Sequence, residues 1–232
     1  QRYVAPSTNW WGITTPEKTL DAFNMAVVAK YFEVVTTPED ADFALVGIYS
    51  PNGGVGYDYA DFENGSNGYV PISLQYDTYT ADTAREISLA GGSPLEDFKN
   101  RTYKGKTVKT INATDMHLVN DTKAKMGNKP VIVSVKVGKP MIFSEIEGSA
   151  SAILVHMGVQ DQALMEIITG AVEPSALLPF QMPADMLTVE AQFEDVPRDM
   201  KAYTDAEGNS YDFAYGLNWS GVIDDARVKK YK

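Results

Sequence analysis

The chain has 232 residues, no cysteine and a formal net charge of −11. The absence of cysteine excludes disulfide bonds, thiolate metal sites and cysteine nucleophiles, and the acidic balance argues against nucleic acid or anionic membranes as partners. No apolar run approaches the ~18 residues of a membrane span. The chain opens with Gln1 rather than methionine and shows no signal peptide, so we expect a processed product or a piece cut from a longer one; the sequence identifies no compartment.

A helix is predicted near the start of the chain. Thr15 is a typical N-cap and Pro16 a typical first helical residue, and apolar side chains then recur at helical spacing to about Tyr31. Trp10 and Trp11 precede this helix. Two interpretations of them stay open: they pack beneath the helix, or they form an aromatic platform for a sugar ring.

Three strands are expected around this helix. A short edge strand is predicted at 3–5 and another short strand at 32–35. The apolar run at 43–48 is typical of a strand buried at the centre of a sheet.

Residues 50–112 have little periodicity and are rich in Gly, Asn, Asp and Tyr. Long irregular segments in a compact domain are usually functional, so we expect an insertion that lies over the carboxyl edge of the sheet. Within it, 80–90 is predicted to be a helix and 103–111 a hairpin strand. The glycines at 53–56 lack the Gly-Lys-Ser/Thr ending of a phosphate-binding loop, which argues against nucleotide binding.

Regular structure is predicted again from Thr114. Thr114 and Asp115 begin a helix, 131–135 is a buried strand, and 141–146 is a short helix.

Residues 152–155, 161–169 and 177–182 follow as strand, helix and strand, with Gly170 as the helix C-cap. This order is a βαβ unit and favours a parallel sheet. The sequence therefore predicts one α/β domain over residues 1–232, with a mostly parallel sheet of five or six strands and helices on both faces.

Three motifs, in order, carry a resemblance to a known family: 129–133 with 138–140, 170–183, and 211–219. Together they resemble the C-terminal domain of family 3 glycoside hydrolases, the family of β-glucosidases and β-xylosidases. The resemblance extends over about residues 31–219. It implies a three-layer α/β sandwich and, for the parent protein, hydrolysis of β-linked sugars in the periplasm or outside the cell.

The same resemblance implies that the nucleophilic aspartate lies in a preceding barrel domain, which is absent from this chain. The chain would then contribute one wall of the site for a glycoside or oligosaccharide, together with the proton donor. The isolated domain is expected to be inactive. No cofactor is implied.

Candidates for the proton donor lie after the strand at 43–48, where the family has a glutamate that this chain does not match. Asp58, Asp61 and Glu63 are the nearest carboxylates, and all three stay open. Glu63 is chemically most similar to the family's donor, whereas Asp61 has the better register. Glycoside hydrolysis needs such a carboxyl group with a raised pKa, facing a second carboxylate.

Tyrosines alternate with these acids, namely Tyr57, Tyr59, Tyr69 and Tyr76. They suit a carbohydrate subsite, because aromatic faces stack on sugar C–H groups, but they would equally anchor an irregular loop. A non-catalytic carbohydrate-binding or scaffold domain is therefore the alternative function.

The two histidines are expected to differ. His117 is predicted to lie on a helix surface, whereas His156 ends the strand at 152–155, where α/β folds bind ligands. His156 is either a packed side chain or a sugar contact. No His, Asp and Glu cluster has the spacing of metal ligands, so no metal is implied.

Overall fold

Three parallel strands form the centre of the fold. A computed structural model describes residues 1–9, 11–86, 101–193 and 196–231. The strands of this part of the chain are β1 Arg2–Val4, β2 Ser7–Thr8, β3 Thr14–Thr15, β4 Lys18–Leu20, β5 Ala44–Tyr49, β6 Tyr79–Thr80, β7 Thr107–Val108, β8 Val131–Lys136, β9 Ala152–His156, β10 Leu217–Asn218 and β11 Gly221–Val222. The helices are α1 Met25–Val28, α2 Tyr59–Glu63, α3 Thr114–Met126, α4 Asp161–Ile168, α5 Met186–Ala191 and α6 Ala226–Tyr231, with a 3₁₀ turn at Glu147–Ser149. None of these helices is long and apolar enough to cross a membrane.

The central sheet has the order β5-β8-β9, and all its strands are parallel. The middle strand carries Val131, Val133 and Val135, which are fully buried. β-Branched side chains of this kind suit a strand that is covered on both faces. The register places Tyr49 beside Lys136, and Lys136 beside His156, so the three strands end in one row.

Helices cover both faces of this sheet. On one face, Met116, Val119 and Met126 of α3 pack against β5 and β8. On the other face, Leu164 and Met165 of α4 pack together with Val28 of α1 and with apolar side chains of β5 and β9. The predicted α/β class and three-layer arrangement are therefore confirmed, although the parallel sheet of the described residues has three strands rather than five or six.

The helix predicted from Thr15 to Tyr31 is wrong over most of its length. Thr15 lies in β3, which pairs antiparallel with β2, and β4 pairs antiparallel with β1. The side chain of Asn9 accepts hydrogen bonds from the amides of Trp11 and Ile13, which forms the tight turn between β2 and β3. Only α1 is helical, with Asn24 as its N-cap. A threonine-rich segment that finds strand partners thus overrides a local capping signal.

Trp11 lies in that turn and is 82% exposed, so it does not pack beneath a helix; Trp10 lies outside the described residues. The predicted edge strand at 3–5 is present as β1, one residue earlier. The strand predicted at 32–35 does not form.

The second strand of the predicted βαβ unit is also wrong, although its first strand and helix are confirmed as β9 and α4, with Gly170 at a left-handed φ of +77°. Residues 177–182 form no strand of the sheet; their backbone bonds instead to the end of the chain, with Leu178 N donating to Tyr215 O and Met182 N to Tyr211 O. Pro179 and Pro183 have no amide hydrogen, which suits an irregular pairing better than a sheet ladder.

Two further helix predictions are wrong. Residues 141–146 form turns instead of a helix, with Met141, Phe143 and Ile146 in the core. Residue 80 belongs to β6 and 81–86 are not helical, while 87–90 lie outside the described residues. The hairpin strand predicted at 103–111 is present only over the two residues of β7, which pair antiparallel with β6.

Candidate functional site

The row formed by Tyr49, Lys136 and His156 borders a small cavity at the carboxyl ends of the three parallel strands. We call it the strand-tip cavity; it has a volume of about 160 Å³. Its lining comes from the three strands, the β9–α4 connection, the start of α4, and residues just before α1: Ala22, Phe23, Gly47, Ile48, Tyr49, Ser134, Lys136, His156, Gly158, Val159, Asp161 and Leu164. Parallel α/β sheets bind ligands at this edge.

His156 presents one ring nitrogen to the protein and leaves the other one available. Its Nδ1 accepts a hydrogen bond from the Gly158 amide at 3.1 Å, so the neutral ring carries its proton on Nε2. Burial lowers the pKa of His156, and the nearby charge of Lys136 lowers it further, whereas Asp161 opposes the shift. The ring is thus favoured in its neutral form as a single N–H donor. His117 is exposed on α3.

A second feature after β5 is a hairpin-like segment, residues 53–73, which we call the acidic loop. Its two sides meet at the bridges between Gly53 and Ser73 and between Tyr57 and Tyr69. Gly68 fits only as glycine, because its φ is +79° and a Cβ there would lie 2.5 Å from the ring of Tyr57. The short helix α2 occupies the tip of the loop and carries Asp61 and Glu63.

The three candidate carboxylates have different environments. Asp58 caps α2, with its Oδ1 accepting from the Ala60 amide at 2.9 Å. Asp61 is 2.5 Å from Lys106 Nζ and accepts from the Gly68 amide at 2.9 Å. The hydrogen bond from Lys106 is the main reason that the pKa of Asp61 is lowered.

Glu63 is exposed at the end of α2, and no described residue pairs with it. An acid held ionised by a lysine is a poor proton donor, because a general acid must be protonated near neutral pH. A carboxylate that caps a helix already accepts a hydrogen bond from a helix amide, as Asp58 does, and stabilises the helix rather than contacting a substrate. Of the three, the Glu63 carboxylate is the one whose hydrogen-bonding capacity is unused within the described residues.

Aromatic rings surround these acids. Tyr57 packs edge-on against Tyr69 with ring centroids 5.9 Å apart, and Phe62 lies 6.4 Å from Tyr57 and 6.2 Å from Tyr59. Tyr57, Tyr59 and Phe62 are each roughly half exposed. Phe62 was not among the sequence candidates, and its position beside Tyr59 is what completes an exposed aromatic patch on the loop.

Tyr69 and Tyr76 have anchoring positions. Tyr69 is half-buried with the Arg101 guanidinium 5.3 Å from its ring centre. Tyr76 is fully buried and donates its hydroxyl to the Tyr49 carbonyl at 2.5 Å, and burial raises its pKa. The backbone amides of Tyr76 and Asp77 donate to the carboxylate of Glu145 at 2.6 and 2.8 Å.

A buried polar network joins the insertion to the strand tips. Asn112 accepts from the Asn52 amide at 2.7 Å and donates to Asp115 at 2.9 Å. The same Asp115 carboxylate accepts from the Tyr49 amide and from Arg2. Sequence analysis did not detect this network, because most of its members are far apart in the chain. The helix cap predicted at Thr114 and Asp115 is wrong, since the N-cap of α3 is Ala113 and no side chain accepts a capping hydrogen bond.

The structure therefore separates the predicted site residues into two groups. Asp58, Asp61, Glu63, Tyr57, Tyr59 and Tyr69 share the acidic loop. His156 belongs to the strand-tip cavity, to which none of those six contributes lining.

A third group of carboxylates lies elsewhere and was not predicted. Oxygen atoms of Glu147, Asp205 and Glu207 come within 4.8 Å of one another. Burial and these acids raise the pKa of the neighbouring Tyr203 to about 12. Exposed acidic groups of this kind are common, and the Asp205 carboxylate already accepts from Asn209.

Comparison with known proteins identifies the family of the chain. The model of the glycosyl hydrolase family 3 C-terminal domain matches residues 5–219. The chain belongs to this family. As a family 3 C-terminal domain it is 23% identical over 202 residues to the probable beta-glucosidase C of Aspergillus flavus, covering 87% of this chain and 24% of that protein.

Two further relatives agree with this assignment. Beta-glucosidase C of Emericella nidulans is 25% identical over 201 residues, which is 86% of this domain and 24% of the relative. The periplasmic beta-glucosidase/beta-xylosidase of Dickeya chrysanthemi is 23% identical over 186 residues, 80% of this domain and 21% of the relative. The family 3 domain thus spans about a quarter of the length of the relatives it matches, and the resemblance inferred from three motifs is confirmed.

Proposed function

We propose that this domain forms one wall of the active site of a β-glycosidase that hydrolyses terminal β-linked glucosides or xylosides, and that Glu63 is its general acid/base. The nucleophilic carboxylate would come from a barrel domain of the same parent protein. The isolated domain then holds half of a catalytic pair and is inactive alone.

The observation that carries this proposal is the position of Glu63. Its carboxylate is exposed and unpaired within the described residues, at the end of a short helix that also carries the exposed rings of Tyr59 and Phe62. Aromatic faces next to a carboxylate suit a sugar, because the rings stack on C–H groups while the carboxylate contacts the glycosidic oxygen.

The loop behind Glu63 is held in place by other groups. Lys106 bonds to both Asp61 and the Asn67 side chain at 2.5 Å, and the Asp58 amide donates to the Gly68 carbonyl at 2.8 Å. We therefore assign Asp58 and Asp61 to positioning the loop. Docking of a neighbouring domain over the loop would remove Glu63 from bulk solvent, as the site of a general acid requires.

The test uses the longer parent protein with Glu63→Gln, Asp61→Asn and Asp58→Asn, and with the exposed Glu33→Gln as the matched control. Loss of a general acid typically costs 10²–10⁴-fold in rate, so Glu63→Gln should lower kcat/KM, which reports the step that cleaves the glycosidic bond, at least about a hundredfold on a phenyl β-glucoside. The loss should be much smaller on a dinitrophenyl β-glucoside, whose leaving group needs no protonation. Activity of Glu63→Gln equal to that of Glu33→Gln on both substrates would refute the assignment.

A non-catalytic carbohydrate-binding domain is the second candidate, favoured by the exposed patch of Tyr57, Tyr59 and Phe62 together with the mismatch to the family's glutamate pattern. It predicts that the 232-residue chain binds β-linked oligosaccharides by itself. The substitution Tyr59→Ala should weaken that binding about tenfold, because stacking on one aromatic ring contributes about 1 kcal/mol and a tenfold change in affinity corresponds to about 1.4 kcal/mol. The exposed Trp219→Ala serves as the control, and a parent protein whose activity is unaffected by Glu63→Gln would favour this candidate.

A further inference from the structure

The strand-tip cavity contains a buried hydroxyl without a partner. Ser134 is 2% exposed, and its Oγ makes no hydrogen bond in the described part of the structure. Buried polar side chains nearly always have a partner, because an unpaired one costs free energy. Since Ser134 lines the cavity, a ligand in the cavity is the partner that this hydroxyl lacks.

The two charged side chains that line the cavity, Asp161 and Lys136, differ in whether they have a hydrogen-bond or ion-pair partner. Asp161 already accepts from the Asn24 amide through Oδ2 at 2.6 Å. Lys136 has no carboxylate partner among the described residues, and its ammonium lies 5.4 Å from the ring centre of Tyr49. The Lys136 ammonium therefore has no charged partner in the described lining of the cavity, whereas one oxygen of the Asp161 carboxylate already accepts a hydrogen bond.

Donors predominate among the remaining polar groups. The Lys136 ammonium, the Nε2–H of neutral His156 and the Ser134 hydroxyl can all donate. A ligand that meets these groups is a hydrogen-bond acceptor with negative charge. Because one cation and one carboxylate share the lining, a singly charged group is favoured over a dianionic phosphate.

The size of the cavity limits the ligand further. Its volume of about 160 Å³ corresponds to about five water molecules, well below the ~300 Å³ at which pockets for larger organic ligands begin. It therefore accommodates a carboxylate with a few neighbouring hydroxyls, and excludes an oligosaccharide chain.

We propose that the strand-tip cavity binds the carboxylate of a sugar acid, a uronic acid, through Lys136, Ser134 and His156. The carboxylate follows from the cavity alone, whereas the assignment to a sugar rests on the proposed glycosidase function. The cavity would then be a specificity site for acidic sugars, separate from Glu63 on the acidic loop.

The test is calorimetric titration of the 232-residue chain with glucuronate, glucose and acetate, with the ring resonances of His156 followed by NMR. Glucuronate and glucose differ only in the carboxylate, so glucuronate should bind at least about tenfold more tightly, the effect of one charge-assisted hydrogen bond. Equal affinity for the two, or no shift of the His156 resonances, overturns the proposal. Acetate binding as tight as that of glucuronate overturns the sugar assignment and identifies a simple carboxylate as the ligand.

Variants separate the cavity from the rest of the surface. Lys136→Gln should weaken glucuronate binding at least about tenfold and leave glucose unaffected, and Ser134→Ala should weaken it several-fold. Lys125→Gln, an exposed lysine on α3, is the matched control. Equal glucuronate affinity in Lys136→Gln and Lys125→Gln overturns the proposal.

The outcome is independent of the glycosidase test. A parent protein that hydrolyses neutral β-glucosides through Glu63, in a domain that binds no glucuronate, overturns this inference alone. A domain that binds glucuronate through Lys136, in a parent protein indifferent to Glu63→Gln, overturns the proposed function alone.

Discussion

The guanidinium of Arg2 lies 2.7 Å from the buried carboxylate of Asp115, which is 113 positions further along the chain. The same guanidinium lies 4.1 Å from the ring centre of Tyr49. Asp115 also accepts from the Tyr49 amide and from Asn112. The N-terminal hairpin, the insertion and the tip of β5 are therefore tied to one carboxylate at the start of α3.

Replacement of Asp115 by alanine should destabilise the domain strongly. Removing one partner of a buried ion pair leaves the other charge uncompensated, which typically costs 3–5 kcal/mol, and here two further donors lose their acceptor. Urea unfolding followed by circular dichroism measures the loss. Asp121→Ala, on the exposed side of α3, is the control, and a difference between the two variants below about 1 kcal/mol would contradict the role given to Asp115.

Gly216, in the closing motif of the chain, has no room for a side chain. A Cβ at this position would overlap the Ala176 carbonyl oxygen and touch the Leu177 side chain. We expect Gly216→Ala to destabilise the domain by about 1–3 kcal/mol, because backbone has to move. Gly148→Ala is the matched control, since nothing lies within 4 Å of its Cβ position; thermal unfolding that gives equal midpoints for both variants would refute the steric argument.

The ion pair of Lys106 with Asp61 should govern the order of the acidic loop rather than global stability. In Lys106→Met, the amides of Asp58 and Gly68 should exchange their hydrogens faster, because the Gly68 amide and the two sides of the loop are held through Asp61 and Asn67. The amides of α3 should be unaffected. Hydrogen exchange followed by NMR or mass spectrometry measures both.

Lys104→Met is the control for this experiment, because Lys104 pairs with Glu86 at the surface. The lowered pKa of Asp61 adds a pH dependence. The contribution of the pair is present above the usual aspartate pKa of 3.8 and is lost as the pH falls through the lower folded-state value. Loop exchange in Lys106→Met that matches Lys104→Met would show that the pair does not hold the loop.

The lowered pKa of His156 predicts that the stability of the domain depends on pH in a less acidic range than the one in which Asp61 titrates. Its folded-state pKa is lowered from 6.5 by burial and by Lys136, so below that pH the unfolded chain binds more protons than the folded one. Stability should therefore fall as the pH is lowered from 7.5 to 5. His156→Gln should reduce this slope and His117→Gln should not, as measured by urea unfolding at each pH; equal slopes in all three proteins would contradict the assignment.

Local patterns were sufficient for the elements around the central sheet. The apolar runs of β5, β8 and β9 and the spacing of α4 are all properties of short segments, and each of these elements forms where the sequence predicts it. Helix α3 also begins at Thr114 as predicted, although its N-cap is Ala113 and not the predicted Thr114 and Asp115. The motifs that carry the family resemblance are local as well. Their detection required no knowledge of which segments meet in space.

The remaining errors have a common physical origin in partners that are distant along the chain. Thr15 satisfies a cap rule, but β3 finds β2, and β4 finds β1. Residues 177–182 have the composition of a buried strand, yet their partners are Tyr211 and Tyr215. For the candidate site, the acids were identifiable by type, but the pairing of Asp61 with Lys106 depends on a contact across 45 positions.

The pairing of residues 177–183 with residues 211–215 predicts how the domain behaves after its backbone is cut. Leu178 and Met182 bond to Tyr215, Ala214 and Tyr211, and Tyr211 stacks on Tyr215 inside the same contact. A backbone cut between Ala184 and Asn209 would leave two fragments that stay associated through these bonds. The two signature motifs, 170–183 and 211–219, are therefore joined by backbone hydrogen bonds, so a substitution that moves the backbone of one motif also disturbs the other.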